Sequence, residues 1–293
     1  MKLTEVWKSR TKPTVSFELF PARTPKAAAS LEKTIDDLAA AAPDFVSVTF
    51  GAGGSTREGS RQLVERLSRD KGLAVVAYFA GYGLGPADVM GVLDSYRDLG
   101  VGTVLAVRGD PPHEQPDFQP HPDSFAHASD LLGFLRPRYE FCFGAAGYPE
   151  GHISSESREK DMGFLKLKVE RGAEFIIANY CYDNRAFLSF VERARALGIK
   201  VPIVPGIMPI FSLKMMENLA KLCGATIPEE LRGRLAKVPE GDTDALVEFG
   251  IEFAVEQCRG LLASGVPGIH IYTMDRSRSS VGIMRKLREE KLI

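Results

Sequence analysis

Eight short runs rich in β-branched and aromatic residues punctuate this chain, and most of the gaps between them carry a helical pattern. The runs are 14–20 (TVSFELF), 45–50 (FVSVTF), 73–80 (LAVVAYFA), 103–109 (TVLAVRG), 141–148 (FCFGAAGY), 174–182 (EFIIANYCY), 201–209 (VPIVPGIMP) and 268–274 (GIHIYTM). Amphipathic stretches lie between them at 25–41, 57–69, 86–98, 159–171, 185–197 and about 244–262. Parallel neighbours need a long crossover, so this β–α alternation implies an α/β fold with a parallel sheet covered by helices. Eight such units in 293 residues fit a closed (β/α)8 TIM barrel, with a doubly wound open sheet as the alternative. No linker, low-complexity segment or charge block divides the chain, so residues 1–293 are expected to form one barrel domain.

Composition narrows the function classes. The chain is 44% hydrophobic with a net charge of −1, enough for a large core and no basic bias toward nucleic acid. No apolar run reaches the roughly 20 residues that span a bilayer, and the opening residues MKLTEVWKSRTKPT hold no apolar signal core. A cytoplasmic location is expected. The four cysteines form no C-x-x-C pair and read as buried free thiols. The five histidines show no metal-ligand spacing.

In a barrel of this kind the reactive groups sit at the C-terminal ends of the strands, and side chains alternate in and out. In the first run Ser16, Glu18 and Phe20 share one face and Val15, Phe17 and Leu19 the other. If the apolar set meets the helices, Glu18 points into the mouth. Ser47 and Thr49 share a face of the second run, and Arg108 and Asp110 share a face at the end of the fourth. Buried carboxylates are costly unless paired or used, so Glu18 and Asp110 favour function, with Arg108 as a neutralising partner. Ser47 and Thr49 are read as structural.

Two glycine-rich turns are ambiguous. Gly51–Arg57 (GAGGSTR) fits either a phosphate cradle or a tight turn with Ser55 or Thr56 as helix cap. Gly81–Pro86 (GYGLGP) lacks the dinucleotide fingerprint spacing. The connection 109–123 reads as a loop on the active face.

Taken in order along the whole chain, VSFELFPART, FVSVTFGAGGSTR, VLAVRGDPP, AAGYPEGH, VPGIMP and HIYTMDR resemble the methylenetetrahydrofolate reductase family. The resemblance covers the length of a catalytic barrel without a regulatory domain. It implies reduction of 5,10-methylenetetrahydrofolate to 5-methyltetrahydrofolate by NADH or NADPH, through a bound FAD. On its motif, Glu18 is the general acid, which needs a proton near neutral pH and so a raised pKa, and Asp110 lies near flavin and folate. Arg276 holds the folate's glutamate tail, Tyr272 on the same strand end packs in the substrate region, and Asn179 stands where a glutamine meets the pterin. The flavin positions of the resemblance fall on Thr49, Arg108, Ala146, Tyr148, His152, Asp161 and Lys168.

Three positions depart from that pattern. Tyr78 stands where family members carry a histidine, and Phe164 and Leu167 replace an asparagine and an arginine that help to bind the cofactor. A charge-assisted hydrogen bond is worth roughly 1.5–3 kcal/mol and a neutral one about 1 kcal/mol. Losing both weakens flavin binding by orders of magnitude, so FAD is expected to bind weakly or not at all. Hydride would then pass directly from nicotinamide to an iminium carbon. The alternatives are a non-redox lyase or aldolase, against which the lack of a strand-end lysine counts, and an inactive folate-binding protein. The expected partners are folate and nicotinamide, not nucleic acid or membrane, and a homo-oligomer is compatible with the sequence.

Overall fold

The computed structural model describes residues 1–51, 57–111 and 117–293. Residues 52–56 and 112–116 lie outside that description, and with them the phosphate-cradle and helix-cap readings of Ser55 and Thr56 and part of the 109–123 loop.

Eight parallel strands close in sequence order: β1 (Thr14–Leu19), β2 (Phe45–Val48), β3 (Val75–Ala80), β4 (Thr103–Val107), β5 (Cys142–Gly147), β6 (Phe175–Tyr180), β7 (Ile203–Ile207) and β8 (Gly268–Tyr272). β8 pairs with β1, so the open-sheet alternative is excluded. Each strand is a residue or more shorter than its apolar run, at the C-terminal end in all but β3, which starts two residues late. The crossover helices are α2 (Pro25–Ala40), α3 (Arg57–Glu65, continued by a π turn at Arg66–Asp70), α4 (Pro86–Asp98), α5 (Ala128–Leu135), α6 (Arg158–Glu170) and α7 (Asn184–Ala196). After β7 come α8 (Leu213–Cys223), α9 (Glu229–Leu235) and α10 (Thr243–Ala263), and α11 (Ser277–Glu289) follows β8. None of these helices is long and apolar enough to cross a membrane.

Alternation divides the interior into three zones. Val15, Phe17 and Leu19 face outward into the layer that also holds Leu31, Ile35 and Leu38 of α2. Inside, an apolar floor of Phe45, Val76, Leu105, Cys142, Phe175 and Ile177 is closed from below by Leu3 and Trp7 of α1 (Leu3–Ser9). Three contacts tether α1: Leu3 N–H donates to Thr103 Oγ1 and Trp7 Nε1–H to Thr14 Oγ1, both at 3.0 Å, and Thr4 Oγ1 lies 3.5 Å from Cys142 Sγ. The register sets the next level up, pairing Ser16 with His270, and Glu18 with both Ser47 and Tyr272. Above the hydrophobic plug the lumen is therefore polar, and this polar level opens at the C-terminal ends of the strands.

The cysteines carry no disulfide; Cys142, Cys181 and Cys258 are buried and Cys223 is half-buried.

Candidate active site

Glu18 is the carboxylate of the mouth, and only 4% of its surface is exposed. Three other strands surround it. His270 of β8 is fully buried, with Nε2 at 3.7 Å from Glu18 Oε2, 3.4 Å from the Tyr78 hydroxyl and 3.5 Å from Ser47 Oγ. Its Nδ1 lies 2.8 Å from Ser16 Oγ, which also donates to the Ile269 carbonyl at 3.3 Å. A hydroxyl has one proton; giving it to Ile269, Ser16 accepts from Nδ1–H. Nε2 then faces Tyr78, Ser47 and Glu18. His270 was missed on sequence grounds. It sits in an apolar run, and only closure of β8 onto β1 brings it beside Ser16 and Glu18.

The folate-side candidates gather around β6 to β8. The Tyr272 hydroxyl donates to the Ala178 carbonyl at 3.3 Å, and its ring stands edge-on to His270 at 5.2 Å and to Tyr180 at 6.2 Å. Asn179 falls in an irregularity of the β6–β7 register, and its Oδ1 accepts from the Tyr180 N–H. The Arg276 guanidinium lies 5.4 Å over the Phe211 ring, and among the described residues its fork has no carboxylate partner.

On the other side, a solvent-open cleft with about 740 Å³ of empty space runs along the ends of β4 and β5 to α6. Arg108, His127, Ala146, Tyr148, His152 and Asp161 line it, with Phe164 and Lys168. Asp161, Phe164 and Lys168 share one face of α6 at helical spacing. Lys168 Nζ donates to the Ala146 carbonyl at 2.7 Å and lies 5.6 Å from the Tyr148 ring centre. Burial pushes its ammonium down to about 8, against the attraction of Asp161. Burial raises the Asp161 carboxyl, and it lowers His152. Tyr148 meets His152 edge-on at 4.6 Å and is raised to about 12, mainly by burial. Thr49 is half-buried at the end of β2, its carbonyl accepting from Ser60.

Three expectations change. Arg108 and Asp110 do not continue the β4 alternation: the strand ends at Val107, and Gly109 takes the left-handed conformation at φ 81°. Asp110 is 68% exposed, with Arg108 at 3.4 Å, so the burial argument holds for Glu18 and not for Asp110. Tyr78 turns into the lumen, where its hydroxyl lies 3.4 Å from His270 Nε2, and is not among the residues lining the cleft. Of the two departures on α6, Phe164 enters the cleft and packs on His127 at 5.3 Å between ring centres, whereas half-buried Leu167 is not one of its lining residues. The phenyl ring puts apolar surface where the flavin pattern calls for a hydrogen-bonding amide.

A closed (β/α)8 barrel with a buried acid at its mouth and a polar cleft beside it has the layout of a barrel enzyme with a strand-end site. Residues 2–288 match the family model described as methylenetetrahydrofolate reductase, and the chain belongs to that family. It is 36% identical over 283 residues to methylenetetrahydrofolate reductase (NADH) 1 of Arabidopsis thaliana, covering 93% of this chain and 48% of the plant protein. It is 30% identical over 275 residues to 5,10-methylenetetrahydrofolate reductase of Pectobacterium carotovorum, covering 93% of this chain and 89% of that protein. The chain thus spans about half the length of the plant relative. Among solved structures, a Clostridium thermocellum protein described as binding two copies of 5-methyl-5,6,7,8-tetrahydrofolic acid superposes with a TM-score of 0.67 at 16% identity, covering 98% of this chain and 99% of that one. A 2,3-dimethylmalate lyase superposes at 0.54 with 13% identity, covering 98% and 84%. At those identities both show the fold alone.

Proposed function

We propose that the protein reduces 5,10-methylenetetrahydrofolate to 5-methyltetrahydrofolate, with NADH or NADPH as hydride donor. The observation that carries the reading is the buried Glu18 at the barrel mouth of a chain in this family. Glu18 gives its proton to N10 of the folate, and the N10–methylene bond breaks. The methylene carbon is left as a 5-iminium cation, which accepts hydride from the nicotinamide and becomes the methyl group. One proton from solvent returns Glu18 to its acid form, so each turnover consumes one NAD(P)H and one proton. Asp110, exposed in the free protein, faces the developing cation and stabilises it electrostatically. Asn179 and Tyr272 hold the pterin side, and Arg276 takes the glutamate carboxylate. The plant relative's name specifies NADH, and the Clostridium protein's description names the methylated folate, both in keeping with this reaction.

The cleft of Arg108, Ala146, Tyr148, His152, Asp161 and Lys168 is read as the site of the nicotinamide dinucleotide itself. Phe164 against His127 removes an amide that a flavin would need, and hydride passes to the iminium without a flavin between. The lyase reading weakens because Asp110, its second acid–base group, is exposed. Free thiols throughout fit a reducing cytoplasm. The test pairs the visible absorption spectrum of the purified protein with steady-state kinetics. A colourless protein that oxidises NADH or NADPH only with methylenetetrahydrofolate present, by a ternary-complex rate law, is expected. Stoichiometric flavin with ping-pong kinetics overturns direct transfer, and folate binding without turnover overturns the enzyme reading.

A further inference from the structure

Phe164 is 42% exposed, the one aromatic ring among the exposed large apolar side chains of the described residues, and it lines the cleft. The His127 imidazole lies against it, 5.3 Å between ring centres with the planes 31° apart. His127 is itself held in place: it is the N-cap residue of α5, and its backbone N–H donates to Asp130 Oδ2 at 3.1 Å. Two rings on neighbouring helices thus form a shelf that needs no rearrangement before a flat group can stack on it. Four residues further along α6 stands Lys168, its Nζ tied to the Ala146 carbonyl, and Arg108 lines the same cleft just past the end of β4. An aromatic face beside two cations is the complement of a purine base joined to a diphosphate.

The shelf belongs to the helix layer, between α5 and α6, whereas Glu18 points into the lumen. Hydride has to be delivered over the lumen, so the nicotinamide ring goes there and the shelf is left for the far end of the dinucleotide. We infer that Phe164, backed by His127, stacks the adenine of NADH or NADPH, while Lys168 and Arg108 hold its diphosphate. The inference rests on the cleft being the dinucleotide site, as proposed above, and adds how that site takes hold of its ligand. The ring that withholds an amide from a flavin supplies stacking surface to the nucleotide.

Flavin adenine dinucleotide also carries an adenine and a diphosphate, so the test has to separate the two. Phe164→Ala removes the shelf, and because the ring is exposed its loss does not hollow the core. Phe164→Tyr keeps the plane. Adenosine diphosphate is titrated calorimetrically into each protein, without turnover. The wild-type protein and Phe164→Tyr should bind it within about threefold of each other, and Phe164→Ala about 10–100-fold more weakly, as for loss of one aromatic–base stack. Equal affinities in the wild-type protein and Phe164→Ala overturn the inference, as does a wild-type protein that does not bind the probe. NADH or NADPH should displace the probe; displacement by flavin adenine dinucleotide at lower concentration assigns the shelf to a flavin and overturns it too. Kinetics give a second readout. Phe164→Ala should raise the KM for NADH or NADPH by about 10–100-fold with kcat within about twofold. Reduced nicotinamide mononucleotide lacks the adenosine, so with it as donor the two proteins should show the same kcat/KM. A deficit that persists with the mononucleotide overturns the inference. If the wild-type protein has no reductase activity the functional reading fails, yet the adenosine diphosphate titration still decides whether Phe164 is a purine shelf.

Discussion

The backbone N–H of Phe20 donates to Asp275 Oδ1 at 3.0 Å, clasping the end of the first strand to the turn after the last. Thr273 reinforces the clasp, its Oγ1 donating to the Glu18 carbonyl at 2.5 Å. Asp275 is held there at φ 54°, and its own carbonyl accepts from Thr34 of α2. The clasp fixes the backbone at and just after Glu18 and begins the segment that carries Arg276.

That clasp has a pH signature. Burial raises the Asp275 carboxyl to about 6; the Phe20 hydrogen bond opposes the rise and the Glu18 charge adds to it. The folded state therefore binds this proton more tightly than the unfolded chain, whose aspartate titrates near 3.9. Stability from this group is full below about pH 4 and is lost as pH rises through about 6. Asp275→Asn keeps an oxygen to accept from Phe20 and removes the charge. It should stabilise the protein at pH 7.5 by about 1–3 kcal/mol and change little at pH 4. Chemical denaturation of both proteins at the two pH values checks this, and an equal effect at both would refute the charge argument.

For the acid role proposed for Glu18, Glu18→Gln is the informative change, because it keeps the shape and the hydrogen-bonding oxygen. Turnover should fall by roughly 10²–10⁴-fold, the range for loss of a general acid. Folate affinity, measured by isothermal titration, should stay within about threefold, since the proton acts in bond breaking more than in binding. Turnover at the wild-type level would remove Glu18 from the mechanism.

Much of this was legible from period-two alternation. Val15, Phe17 and Leu19 had to face helices, so Ser16 and Glu18 had to face the lumen, and they do. What alternation cannot supply is the register between distant strands. His270 lies 252 residues from Glu18 in sequence, yet their side chains stand 3.7 Å apart because β8 closes onto β1. Alternation also fails where the backbone changes hand, and Gly109 turns Asp110 out of the pattern of β4. The plug α1 escaped because seven residues are too few to establish a helical period. Tyr78 was visible as a departure from the family pattern, but its partner was not, since His270 of β8 meets it across the lumen rather than along the chain.

Lys168 should make cofactor binding pH-dependent. With its ammonium lowered to about 8 by burial, the side chain is charged below that pH and neutral above it. A diphosphate favours the charged form, so NADH or NADPH affinity should hold steady below about pH 8 and then weaken by up to about tenfold per pH unit. Lys168→Met should weaken binding near neutral pH by about tenfold or more and flatten the decline. Titrations of the cofactor between pH 7 and 9.5 test both; an identical slope in the variant would place the titrating group elsewhere.

The apolar floor offers a test of the fold separate from the chemistry. Gly144 of β5 pairs in register with Phe175 of β6, and the phenylalanine ring covers the glycine so closely that an added Cβ would come 2.2 Å from the ring. The ring is fully buried, with Trp7 of α1 edge-on to it at 5.5 Å, so it has little room to retreat. Gly144→Ala should therefore destabilise by about 1–3 kcal/mol through overpacking. Phe175→Leu should also destabilise, because it leaves part of the floor unfilled. Combined, the smaller side chain makes room for the new methyl group, so the double variant should be more stable than the sum of the single losses allows. A double-mutant cycle in denaturant should give a coupling of about 0.5–2 kcal/mol in that direction. Strict additivity would mean that the methyl group is accommodated by backbone movement in β5, and that the ring does not set the spacing of the floor.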